Sequence, residues 1–135
     1  STYHVAIGNL FEPNNPAYLN AYAYTLALQN RNLKEARQIA EHAADLAPEQ
    51  ASILDTLGYI TYLQNDFSAA AKALKKAYEL STSVKIGVRY AMSLYMQGKM
   101  QQFEMVLQEL QTNHRNDPQL EPLNSLLLPQ QIKKS

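Results

Sequence analysis

Cysteine is absent from the 135 residues, glycine occurs only four times, and neither sign of charge predominates, with twelve lysines and arginines against twelve aspartates and glutamates. Without cysteine there is no disulfide framework, no thiolate zinc site and no thiol nucleophile, and the lack fits a reducing or an oxidising compartment equally. A balanced charge removes the global field on which nonspecific phosphate binding depends, so DNA and RNA are not expected partners. No apolar run approaches the ~20 residues of a membrane-spanning helix, and the first residues show no basic and apolar leader, so membrane insertion is not expected. No Gly-rich phosphate loop, nucleophile elbow or His-Glu-x-x-His stretch occurs. His4, His42 and His114 are far apart in the chain, and only His42, with Asp45 three residues on, has a possible co-ligand on its own helix face. Two candidate ligands do not make a metal site. The expectation is a non-enzyme without metal or cofactor. The chain is long enough, at 46% hydrophobic residues, for one domain and no second core.

What the sequence does contain is helical spacing that recurs. In LDTLGYITYLQNDF, residues 54–67, an apolar or small side chain returns at Leu54, Leu57, Gly58 and Thr61. Gln64, Asn65 and Asp66 then interrupt the pattern before a second one opens at Phe67, with Ala70, Leu74 and Ala77 on one face. Leu19, Tyr22 and Ala23 stand 35 residues before Leu54, Leu57 and Gly58, and Ala36, Ala40 and Ala43 stand 34 before the second set. Gly87, Tyr90 and Ala91, then Phe103, Leu107 and Leu110, follow at 33. The slippage falls in the turn Gln29 to Asn32 and in Ser81 to Val84, between helices, where insertion costs little.

Two helices of one unit cross closely only where side chains are small. Ala23, Gly58 and Ala91 on the first helices, with Ala36 and Ala70 on the second, supply that clearance. Phe103 stands where the third unit should have Ala, which predicts a wider or rotated third pair. The middle stretch resembles the tetratricopeptide repeat, whose signature is a large residue, a Leu-Gly pair and a later Ala followed four residues on by an aromatic or Leu. The resemblance covers roughly residues 16 to 116. It implies an all-α, right-handed superhelical solenoid of antiparallel helix pairs, with repeats at 16–49, 50–83 and 84–116 and a capping helix and tail over 117–135.

Local signals fit that division. Pro16 suits a first helical turn with Asn15 as its cap, Asp66 or Asn65 suits the cap of the helix opening at Phe67, and Gln97-Gly98-Lys99 forms a turn. Glu121 to Leu128 predicts a short capping helix with Leu123, Leu126 and Leu127 turned inward, and the tail from Pro129 to Ser135 reads as polar and loose. Tyr3, Ala6, Ile7, Leu10 and Phe11 form a helical stripe, read as the second helix of a preceding repeat over residues 1–15 whose first helix is missing. On that reading the sequence is a piece of a longer protein, with an apolar edge at Ile7, Leu10 and Phe11 suited to self-association.

In tetratricopeptide arrays the first helices line a concave groove, at positions three residues before the small crossing residue, one after it, and four or five after it. The resemblance places Asn20, Tyr24 and Leu28 there from the first repeat, and Asp55, Tyr59 and Tyr62 from the second. The third supplies Val88, Met92, Tyr95 and Met96, with Arg89 at the edge. Tyr and Met give such a wall large apolar area with a polar edge and a soft shape, suited to a peptide or helix of a partner protein. The same aromatics can also simply pack on the next repeat. Tyr22 and Tyr90, standing in for Leu57, are expected inside, and Asp55 has a plainer role near a helix N-terminus. Lys72, Lys75 and Lys76 read as solvated surface. Chaperone-binding members of the family clamp a terminal carboxylate with Lys, Asn and Arg; Asn20 and Arg89 are here, but Asp55 would repel it, so that clamp is not expected. The phrase from Leu46 to Tyr59 is similar to the last repeats of bacterial cell-envelope and secretion proteins, which implies a scaffold in a multiprotein assembly, in the periplasm or envelope. The alternative is a structural spacer or oligomerisation segment of a longer solenoid with no groove ligand.

Overall fold

The computed structural model describes residues 14–134, with side chains described to residue 127. The stripe from Tyr3 to Phe11, His4 and the proposed self-association edge lie outside the described residues. Seven α-helices run through the described part, which contains no strand: α1 (Pro16–Leu28), α2 (Leu33–Leu46), α3 (Ala51–Leu63), α4 (Phe67–Ser81), α5 (Val84–Met96), α6 (Met100–Asn113) and, after a 3₁₀ turn at Pro118–Leu120, α7 (Glu121–Lys134). Consecutive helices pack as antiparallel hairpins, and α3 also packs on both α1 and α5, so the first helices form one layer. This is the tetratricopeptide-type solenoid.

Each hairpin turn uses the same device. Asn30, Asn65 and Gly98 adopt φ of 51°, 63° and 74°, the left-handed conformation that ends a helix and that Asn and Gly adopt most readily. The N–H after each donates five residues back, Arg31 to Leu26 O at 3.0 Å, Asp66 to Thr61 O at 2.9 Å and Lys99 to Leu94 O at 3.0 Å. The extra residue of the first turn is absorbed by a second left-handed asparagine, Asn32, at φ 48°. Side chains cap the helices that open at Pro16 and Phe67. Asn15 Oδ1 accepts from the Ala17 and Tyr18 N–H groups at 2.9 and 3.3 Å, and Asp66 Oδ1 accepts from Ala69 N at 3.2 Å.

The small crossing residues are fully buried. A Cβ on Gly58 would lie 2.4 Å from Leu74 Cγ, so glycine here makes room for the Leu74 side chain, itself wholly buried. Gly87 occupies the place that Leu19 and Leu54 fill in the other units, because Tyr78 and Leu110 already fill that space; a Cβ there would meet them at 2.9 and 2.6 Å. Phe103 is buried completely, edge-on to Tyr95 at 5.3 Å, and α5 and α6 approach closely over less of their length than the helices of the first two hairpins. A wider or rotated third pair, as expected from Phe103, accounts for this. Two apolar clusters result. One centres on Ala23, Ala36, Ala40 and Ile60; the other extends from Leu54 and Leu74 through Leu107 to Leu120 and Leu123 under the cap.

Three expectations are corrected. Tyr22 is 41% exposed and lies against Tyr18, ring centroids 6.3 Å apart, because on α1 its position faces away from the α2 packing that buries Ala23 and Leu26. Tyr90 is half-buried against Tyr78, as expected of it. The capping helix continues past Pro129 to Lys134 instead of ending in a loose tail, with Leu123 buried and Leu126 and Leu127 half-buried; residues 130–134, Gln-Gln-Ile-Lys-Lys, are good or fair helix formers. Asp55, expected near a helix N-terminus, lies beyond the first turn of α3 and instead pairs with Arg89.

Arg37 of α2 donates to Gln64 at 3.2 Å and to Asp66 at 3.0 Å, so Asp66 both caps α4 and ties the second hairpin to the first. Its carboxyl is held below the ordinary value, first by the Ala69 N–H and then by Arg37. A depressed folded-state pKa means that this stabilisation is complete above the unfolded carboxylate value and is lost as pH falls through the folded value. Asp66→Ala should therefore cost about 1 kcal/mol at neutral pH, and the gap in melting temperature from wild type should close on acidification. Gly58→Ala should destabilise by up to about 2 kcal/mol in chemical denaturation, the difference between overpacking of about 1–3 kcal/mol and the roughly 1 kcal/mol of helix propensity gained.

Candidate functional site

The first helices α1, α3 and α5, each of 13 residues, contain between them only three charged residues, Asp55, Lys85 and Arg89. The second helices carry charges of both signs, from Lys34 and Glu35 to Glu109. The wall made by the first helices is accordingly apolar and aromatic, and its three charges meet on it.

Tyr24 of α1 and Tyr59 of α3 lie with ring centroids 6.1 Å apart. From α5 the Arg89 guanidinium sits 4.4 Å from the Tyr59 ring centroid, and its Nη1 donates to Asp55 Oδ2 at 2.9 Å. One turn earlier on the same helix, Lys85 Nζ lies 5.5 Å from the Tyr24 ring centroid. A ladder therefore crosses three hairpins, in which α5 extends two cations over aromatic faces from the helices before it, a contact worth about 0.5–2 kcal/mol each depending on desolvation. A hydrogen bond from Arg89 holds the Tyr24 phenol below its usual value against the opposing effect of burial, with Lys85 adding to the lowering. Burial pushes the Tyr62 phenol up.

Beside the ladder, Tyr59, Tyr62, Met92 and Arg89 enclose a mostly apolar cavity of about 240 Å³ with Leu74 at its base. Tyr62 is fixed by an edge contact with Phe67 at 5.1 Å. Thus Tyr24, Asp55, Tyr59, Tyr62, Arg89 and Met92 come together. Tyr95 is directed instead onto Phe103, and Leu28 and Met96, 60% and 47% exposed, stand open near the hairpin turns. Asn20 is half-buried, and its Oδ1, like Asp55 Oδ1, is shielded from solvent without a hydrogen-bond partner among the described residues. Val88 packs against the second apolar cluster. Sequence reasoning left out Lys85, which precedes Arg89 by four residues and so shares its face, a sufficient signal. Leu74, expected in the core, is wholly buried there and also lines the recess.

His42 Nε2 lies 3.1 Å from Asn14 Oδ1, not on Asp45, and no group of three or more metal-ligating side chains occurs among the described residues. No helix among them is long and apolar enough to cross a membrane.

No protein-family model matches the chain. A TPR repeat-containing protein of Pseudomonas aeruginosa is 38% identical over 68 residues, half of this chain; the chain spans 12% of that relative's length. Among solved structures, the type III secretion chaperone SycD of Yersinia enterocolitica, in complex with a peptide of the translocator YopD, superposes with a TM-score of 0.74 at 16% identity, over 87% of this chain and 92% of that one. The repeated helix hairpins and both likenesses agree on the fold: a solenoid of tetratricopeptide-type helix pairs.

The Asp55–Arg89 pair is largely buried, with side chains 10% and 21% exposed. Arg89→Ala strands the carboxylate and should cost on the order of 3 kcal/mol in urea unfolding, while the double variant Asp55→Leu/Arg89→Met should recover most of the loss. A double variant as unstable as Arg89→Ala would show that the pair is not what Arg89 contributes.

Proposed function

We propose that this chain is a protein-interaction scaffold that holds a peptide or helix of a partner on the wall formed by α1, α3 and α5, as part of a larger assembly, with repeats at 16–49, 50–83 and 84–116. The observation that carries this reading is the cavity between Tyr59, Tyr62 and Met92. It is an apolar recess of one-side-chain scale with aromatic walls and a polar edge, set into a surface otherwise nearly free of charge. The tetratricopeptide fold is consistent with it, and the structural neighbour SycD was solved with a partner's peptide bound. The larger outer cleft of about 320 Å³, over Leu54 and Leu57, is less suited to capture. Its rim residues Arg37 and Lys76 are already engaged with Asp66 and Glu49.

The polar members of the wall have defined parts. Arg89 and Asp55 fix each other and hold Tyr59 in orientation, which preorganises the recess and lowers the ordering cost of binding. With its charge neutralised by Asp55, Arg89 offers a chain terminus no uncompensated cation.

The test uses peptides selected on the immobilised wild-type chain from a random display library. Tyr59→Ala/Tyr62→Ala should abolish their binding while helical circular dichroism is retained. Selected peptides that bind the double variant as tightly as wild type would place the interaction elsewhere.

A further inference from the structure

Lys85 is exposed on α5 and forms no ion pair among the described residues; its ammonium lies over the Tyr24 ring. The one carboxylate on the three first helices, Asp55, is engaged by Arg89. The inner wall thus presents one unanswered positive charge, one helical turn from the cation that borders the apolar recess. A partner segment laid across this wall has to desolvate that ammonium. Covering it with apolar side chains, or facing it with a basic residue, is unfavourable, whereas a carboxylate supplies a charge-assisted partner. A chain terminus has no advantage over a side chain in this role, because the charge of Arg89 is already neutralised by Asp55.

We propose that the groove selects an apolar stretch of a partner chain that carries an internal carboxylate, with one aliphatic or aromatic side chain seated between Tyr59, Tyr62 and Met92 and an Asp or Glu side chain paired with Lys85. This deepens the groove reading above and rests on it. The Lys85 pair sits at the rim and sets register and choice of partner, while the apolar anchor supplies most of the affinity.

The experiment selects peptides from a random library in which both ends are internal, on wild-type chain and on Lys85→Glu in parallel, and then measures amidated synthetic copies by fluorescence polarisation. Lys85 is exposed, so both of its variants keep the fold, which circular dichroism verifies. Wild-type selection should enrich Asp or Glu at a fixed distance from an apolar anchor, and Lys85→Glu should replace that acid by Lys or Arg and weaken the wild-type peptides about tenfold or more. Changing the peptide's acid to its amide should weaken binding to wild type but not to Lys85→Ala. Peptides that depend on Tyr59 and Tyr62 yet show no acid preference, or an acid effect that persists in Lys85→Ala, would overturn this proposal and leave the groove standing. Selected peptides that bind only when synthesised with a free C-terminal carboxylate in place of the amide would overturn it as well. Binding indifferent to Tyr59→Ala/Tyr62→Ala would overturn both.

Discussion

The two helices of each hairpin meet where Ala23, Gly58 and Ala91 present almost no side chain, and the rest of the architecture follows from that closeness. At Gly58 the vacant position is occupied by Leu74, so the crossing is a fitted pair and not an empty gap. An isolated hairpin of this kind cannot cover its own apolar face. Stacking covers it, and the buried set therefore continues from Ala23 to Leu123 through neighbouring units, ending under α7. Where the small residue of the second helix is lost, at Phe103, the third pair opens, and Gly87 compensates on the first helix by admitting Tyr78 and Leu110.

Stacking in register also assembles the inner wall. Tyr24 and Tyr59 are equivalent positions a repeat apart, and Arg89 lies one turn from the next equivalent, so side chains distant in sequence converge without any loop to carry them. Charge is segregated to match. The second helices face outward and carry the solvated residues, including Lys76 paired with Glu49, whereas the first helices carry three charges, of which two neutralise each other. On the function proposed above, a surface of this composition would capture apolar segments, with its remaining cation setting a preference of sign.

Much of the fold was legible because it is periodic. The spacing of Leu54, Gly58, Ala70 and Leu74 and its displaced copies located the helices and their turns, and Asn30, Asn65 and Gly98 marked the turns by residue type alone. The face of each first helix was legible for the same reason. What periodicity could not specify was which member of that face meets which. Tyr62 and Tyr95 share a register, yet only Tyr62 borders the recess, since the wider third hairpin lets Tyr95 settle on Phe103. Tyr22 was assigned inward by analogy with Leu57 and stands exposed, and α7 continues through a proline that, read locally, ends a helix.

The sequence by itself determined the helix pairs, their register and the residue types on the inner wall, because those depend on separations of three, four and about thirty-four residues along one chain. The tertiary structure decided that Asp55 neutralises Arg89, that Lys85 is left over Tyr24, and that Leu74 floors a recess. Those outcomes depend on distances between helices separated in sequence by a repeat or more, set by how far each hairpin rotates on the last.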